Sequence, residues 1–217
     1  MNILVNNVNL HYIEDGEGSP IILLHGNRGN NLVFDKLISK LKKSYKVYAI
    51  DSRCHGKSSN PEEISYDSIS DDIICFIEKL KINKPILYGF SDGGIVGLLI
   101  AIKRPNILKK LIVSGPNLNP NGFKKYMFLY SKMGYLITRN KLFKLMAKEP
   151  DIKLKDLHKI KVPTVIIAGE HDIVKEKHLV LIYKNIKKCE LKILKNENHS
   201  SYVVHSDKLY DILKKYI

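Results

Sequence analysis

The stretch Gly89-Phe90-Ser91-Asp92-Gly93-Gly94 stands between an apolar run, Ile86-Leu87-Tyr88, and a glycine-punctuated helical stretch from Ile95 to Lys103. It has the form G-x-S-x-G at a strand-to-helix junction. A serine at such a turn sits in strained backbone geometry with its hydroxyl above the sheet, and neighbours without side chains two residues away let strand and helix approach closely. The junction commits the chain to a sheet with a helix laid over it and marks Ser91 as a candidate nucleophile. A bare match describes an ordinary tight turn equally well. The flanking elements and the partners downstream separate the two readings.

A serine hydroxyl is a poor nucleophile at neutral pH, so the motif carries chemistry only if a base and a base-orienting acid reach it. Both occur later in the chain. The β-branched run Val165-Ile166-Ile167-Ala168 leads into Gly169-Glu170-His171-Asp172, and Leu191-Lys192-Ile193-Leu194 leads into Asn196-Glu197-Asn198-His199-Ser200. Each candidate follows the carboxyl end of a strand, and in an open parallel sheet those ends share one edge. Ser91 is therefore assigned as nucleophile, His199 as general base and acid, and Asp172 as the carboxylate that fixes the imidazole tautomer. His205 is the rival base and Glu170 the rival acid. His205 falls near the start of the last helix, and Glu170, nearer its strand, would have to point back over the sheet.

An oxyanion needs two preorganised N–H donors, usually from backbone, so a sequence reveals only the loops that present them. Ile21-Ile22-Leu23-Leu24 leads into His25-Gly26-Asn27-Arg28-Gly29-Asn30, whose glycines let the loop fold over the site. The backbone N–H groups of Asn27 and Asp92 are the expected pair. A further segment, Asp51-Ser52-Arg53-Cys54-His55-Gly56-Lys57-Ser58, follows the strand Val47-Tyr48-Ala49-Ile50 and is expected to lock a loop at the same edge. His25 and His55, in glycine loops, are read as structural.

Taken together, strand-HGN, D-x-R-x-H-G-x-S, G-x-S-x-G-G, the late acid and the late histidine resemble the α/β-hydrolase family over essentially the whole chain. Gly-Phe-Ser-Asp-Gly-Gly and Gly-Glu-His-Asp are similar to the small serine esterase and valacyclovir-hydrolase-like branch. The resemblance implies an α/β fold: an eight-stranded, mostly parallel sheet with helices on both faces and a lid inserted after the sixth strand. Two departures stand out. Cys54 occupies a position where the family commonly has glycine, and the span between the sixth strand and the acid-bearing strand is short for a lid.

Residues 1–217 fit one domain, and an apolar share of 44% supports its core. Cys54, Cys75 and Cys189 form an odd set without metal-ligand spacing, which points to reduced side chains and a cytoplasmic setting. No run approaches the roughly 20 apolar residues of a spanning helix, so no membrane is expected. The formal charge of +14 invites a nucleic-acid reading, but only four residues are arginine and the lysines are dispersed, without an aromatic platform. No nucleic acid, cofactor or metal is expected.

Ile3 to Val5 and Val8 to Ile13 read as an amino-terminal hairpin turning at Asn6-Asn7, after which strands and helices alternate. Asp67 to Leu80 has helical apolar spacing, and Ser206 to Ile217 reads as the closing helix. One segment breaks the rhythm, from Asn117 to about Ile160. Two short helices fit it, with aromatics and methionines such as Phe123, Tyr126, Met127, Tyr130, Met133, Phe143 and Met146. As a lid, its apolar underside would line the acyl or alcohol pocket; the same residues would equally serve as core. Ten basic residues against three acids put half of the net charge here, either to steer anionic substrates or as a solvated face. An Asp92 carboxylate turned into the pocket would instead favour a substrate ammonium.

The expected reaction is acyl transfer from a small-molecule ester or related acyl compound through an acyl-enzyme. Carbon-carbon cleavage, lyase chemistry, perhydrolysis and a noncatalytic binding module on the same fold stay open, because specificity lives in the pocket.

Overall fold

A computed structural model describes residues 1–217. Strands β1 (Asn2–Val5) and β2 (Val8–Asp15) pair antiparallel with Val5 opposite Val8, leaving Asn6 and Asn7 as a two-residue loop. Both asparagines have positive φ, 44° and 61°. That is the turn whose twist matches the flanking strands, and asparagine tolerates it better than most side chains.

The remaining strands are β3 (Ser19–Leu24), β4 (Tyr45–Ile50), β5 (Ile86–Phe90), β6 (Lys110–Ser114), β7 (Thr164–His171) and β8 (Cys189–Asn198). The sheet runs β1-β2-β4-β3-β5-β6-β7-β8, antiparallel at the β1–β2 and β2–β4 ladders and parallel elsewhere. From β3 the chain steps one way to β4 and then crosses back to β5. At such a reversal the two loops leaving β3 and β5 diverge to opposite faces and open a crevice at the carboxyl ends. The glycine loop after β3 and the serine turn after β5 both stand there.

Helices cover both faces. Alternation in β3 sends Ile22 and Leu24 into the layer under α2 (Tyr66–Lys79), α3 (Asp92–Lys103) and α7 (Glu176–Lys184), while Ile21 and Leu23 meet α1 (Asp35–Leu41) and α8 (Lys208–Leu213). Every side chain of β5 is buried, as in a strand covered twice. Ser65 and Ser68 close a capping box at the start of α2. The closing helix is shorter than Ser206 to Ile217: only Lys208–Leu213 is α-helical, and the Tyr216 and Ile217 amides turn back onto the Leu213 carbonyl.

Between β6 and β7 the chain leaves the sheet for a 3-10 turn at Pro120–Gly122 and three helices, α4 (Lys125–Thr138), α5 (Lys141–Lys148) and α6 (Leu154–Leu157). Two short helices are thus an undercount. The break between α4 and α5 comes from Arg139, left-handed at φ 54°, followed by Asn140, whose side chain caps α5 by accepting the Leu142 N–H at 2.8 Å. No helix is long and apolar enough to cross a membrane.

Over the crevice, β5 and α3 approach without side chains between them. A Cβ on Gly89 would lie 2.2 Å from the Gly93 carbonyl oxygen, and one on Gly93 would lie 2.2 Å from that of Leu24. Both obstacles are main chain and cannot rotate away. Gly93→Ala is expected to cost at least about 2 kcal/mol of stability, read as a lowered urea midpoint at unchanged m-value.

Candidate active site

Ser91 caps α3 with φ 53° and ψ −113°, a conformation that costs a non-glycine residue about 1–3 kcal/mol. Hydrogen bonds hold it there. Its N–H donates to the Ser114 carbonyl at 2.7 Å, and its own carbonyl accepts from Gly94 at 2.8 Å and Ile95 at 3.1 Å. The hydroxyl then faces His199, with Oγ 2.9 Å from Nε2. On the other side of the ring, Nδ1 lies 2.7 Å from Asp172 Oδ1. A carboxylate only accepts, so the Nδ1 proton donates to Asp172 and Nε2 keeps the lone pair that faces the serine.

Asp172 is buried, and its Oδ1 also accepts the Val174 N–H at 2.9 Å, which fixes the carboxylate just beyond β7. His199 follows the last residue of β8. Phe90 packs beside the imidazole, with ring centroids 5.0 Å apart. Room for the ring comes from Gly115, in the left-handed region at φ 59°, where a Cβ would sit 2.7 Å from His199 Cε1. Sequence reasoning missed this glycine, although Ser114-Gly115-Pro116 follows a strand at the same edge and carried the signal.

The loops after β3 and β5 are tied directly. The Gly93 N–H donates to the His25 carbonyl at 3.1 Å, and Asn27 Nδ2 donates to Asp92 Oδ2 at 2.8 Å. The backbone N–H groups of Asn27 and Asp92 themselves donate to no protein acceptor. Burial raises the Asp92 carboxyl above the ordinary range, opposed by the Asn27 amide and the Tyr66 hydroxyl. Asp92 is also absent from the lining of the cavity over Ser91, so its carboxylate serves this buried contact rather than the open space.

Asp51 is the hub behind the site. Its carboxylate accepts the N–H of Asn31 at 2.7 Å and of Lys57 at 3.0 Å and meets His11 Nδ1 at 2.9 Å. A Cβ on Gly56 would collide with it at 2.2 Å. Cys54, where glycine is usual, adopts φ 64° nonetheless, strained for a residue with a Cβ. His25 bridges the loops after β3 and β4. Ser52 N–H donates to its Nε2 at 3.1 Å, so the Nδ1 proton donates to the Gly26 carbonyl at 2.8 Å. Burial, with His55 nearby, pushes its pKa down to about 4.

A cavity of about 290 Å³ stands over Ser91 and His199, walled by Asn27, Met127, Tyr130, Phe143, Met146 and Ile173. Four of the aromatics and methionines expected to line a pocket therefore do. Phe123 is buried in the core instead, while Tyr126 and Met133 are exposed. Arg28 stacks over the Phe143 ring at 5.0 Å, which fastens the glycine loop to α5.

Residues 19–136 match the family described as alpha/beta hydrolase fold. The chain belongs to the α/β-hydrolase fold family. It is 25% identical to human serine hydrolase BPHL over 99% of its own length and 85% of that protein. It is 36% identical to zebrafish sn-1-specific diacylglycerol lipase ABHD11, over 49% of the chain but only 35% of that protein, so this second likeness spans about a third of the relative. The esterase EaEST from Exiguobacterium antarcticum superposes with a TM-score of 0.84 at 21% identity, covering 98% of this chain and 96% of that one.

Within this α/β-hydrolase fold the rivals stand apart. His205 is exposed and pairs with Asp35 at 3.0 Å, and exposed Glu170 accepts the Asn196 N–H. The buried His25 gives a pH test. Its folded pKa lies below the unfolded value of 6.5, so the unfolded chain binds a proton that the folded chain refuses. Stability falls as pH drops from about 6.5 toward 4 and then levels, by about 3 kcal/mol through this group. Urea titrations at pH 7.5 and pH 4.5 are expected to show a larger drop for the wild type than for His25→Asn.

Proposed function

We propose that the protein is a serine hydrolase that cleaves small carboxylic esters, or closely related acyl compounds, through an acyl-enzyme. The observation that carries this reading is the unbroken relay from Ser91 Oγ through His199 to Asp172, with spacings of 2.9 and 2.7 Å. His199 Nε2 accepts the serine proton as Oγ attacks the carbonyl carbon. The imidazolium so formed is stabilised by buried Asp172, whose second oxygen has no other protein partner. His199 then returns the proton to the leaving group, activates water and yields the acid.

Negative charge that develops on the carbonyl oxygen is met by the N–H groups of Asn27 and Asp92. Their lack of protein acceptors supports that role, and removing one such donor typically costs about 10²–10³ in kcat. The helical excursion between β6 and β7, within about 117–160 of a single 1–217 domain, is read as a short lid whose Met127, Tyr130, Phe143 and Met146 bound the acyl pocket. A cavity near the lower end of the usual ligand range favours small substrates. The likeness to BPHL, a serine hydrolase, and to the Exiguobacterium esterase points the same way. Three free cysteines fit a reducing, cytoplasmic setting.

Turnover of short-chain p-nitrophenyl esters and labelling by a fluorophosphonate test the proposal. Ser91→Ala is expected to abolish labelling and lower kcat at least about 10⁴-fold, and Asp172→Asn to lower kcat about 10⁴-fold with KM little changed. Labelling of Ser91 without ester turnover would redirect the reading to another acyl substrate. Absence of both would reject it.

A further inference from the structure

Helix α4 wears its apolar stripe on the outside. Tyr126, Leu129, Tyr130, Met133, Leu136 and Ile137 are all exposed, from 49% at Met133 to 75% at Ile137. At about 100° per residue these six fall within an arc of about 120°. The opposite face is the anchored one. Ser131 is buried, and Gly134 lies so close to α5 that a Cβ there would be 2.5 Å from the Phe143 ring. A surface helix normally turns such a stripe inward, and a contiguous exposed one marks an interaction face.

The charge around it has a single sign. From Asn117 to Lys148 the chain holds six lysines and one arginine and no acid. Lys125 and Lys132 border one side of the stripe along α4, and Lys124 and Arg139 stand at its two ends. Aromatic and aliphatic side chains framed by lysines are the pattern of a helix that lies in the plane of a membrane interface. A second copy on this face would set two like-charged surfaces together, which disfavours self-association. An anionic lipid surface complements both the stripe and its frame.

We propose that the outward face of α4 docks on an anionic lipid surface and that small acyl esters partitioned into that surface are the substrates of the Ser91 site. Tyr130 links the two, since it belongs to the exposed stripe and also walls the cavity over Ser91. An acyl chain leaving the lipid meets Tyr130 and then Met127 on its way to the serine. The docking half stands on α4 alone, and the substrate half rests on the hydrolase reading above.

Flotation of the full-length protein with vesicles of phosphatidylcholine, or of phosphatidylcholine with phosphatidylserine as minor component, tests the docking half. The wild type is expected to float with the serine-containing vesicles, less so as salt rises, and to stay unbound with phosphatidylcholine alone. Leu136→Gln with Ile137→Gln is expected to weaken partition about tenfold while thermal midpoint and turnover of a soluble ester hold. Lys125→Glu with Lys132→Glu is expected to weaken it more than Lys187→Glu with Lys188→Glu, an equal change in net charge at the opposite end of the sheet. Equal effects of the two charge reversals, no flotation of the wild type, or undiminished flotation of the glutamine variant would overturn the proposal. So would light scattering that finds a wild-type dimer split by the glutamine pair. Ser91→Ala is expected to float like the wild type, which keeps failure of docking distinct from failure of the hydrolase reading.

Discussion

The whole arrangement depends on main chain touching main chain where α3 leaves β5. Gly89 and Gly93 allow the first turn of the helix to rest on the Leu24 carbonyl and on the strand it departs from, and no other residue type fits at either point. Ser91 is caught between them in a conformation it would not choose. Three hydrogen bonds to neighbouring backbone offset that strain and orient Oγ outward. A flexible turn would present the same hydroxyl over many directions, and a relay at hydrogen-bond distance requires one.

Around this point the sheet edge is knitted by buried and partly buried polar groups. Asp51 gathers two backbone amides and one imidazole, neutral His25 spans two loops, and Asn27 reaches across to Asp92. Each bond compensates a desolvation cost that would otherwise fall on a buried group. Rigidity at the edge is thus electrostatic, whereas the two layers beneath are held by apolar packing on either face.

Much of this was legible in the sequence because it rests on local rules. Continuous apolar runs announce strands buried on both faces, and the Asn6-Asn7 pair announces its turn. Ser91, Asp172 and His199 were named from their positions after strands, a topological inference that needs no coordinates. What escaped lay in tertiary context. The space beside His199 exists because Gly115 lacks a side chain, which no periodicity reveals. The helical excursion misled in another way: its aromatics and methionines have the spacing of a buried face, and sequence alone cannot say that six of the apolar residues on α4 turn toward solvent. The end of α8 was overrun for a similar reason, since the final turn is closed by contacts rather than by propensity.

β8 is one of the two edge strands of the sheet, half-exposed along its length, and its pairing with β7 slips between Gly169 and His171 just before the loop that carries the imidazole. One end of the relay is therefore suspended from an edge strand, paired on one side only. Fraying there parts the His199 imidazole from the Ser91 hydroxyl while the central strands remain paired. Warming should open that contact before it melts the sheet.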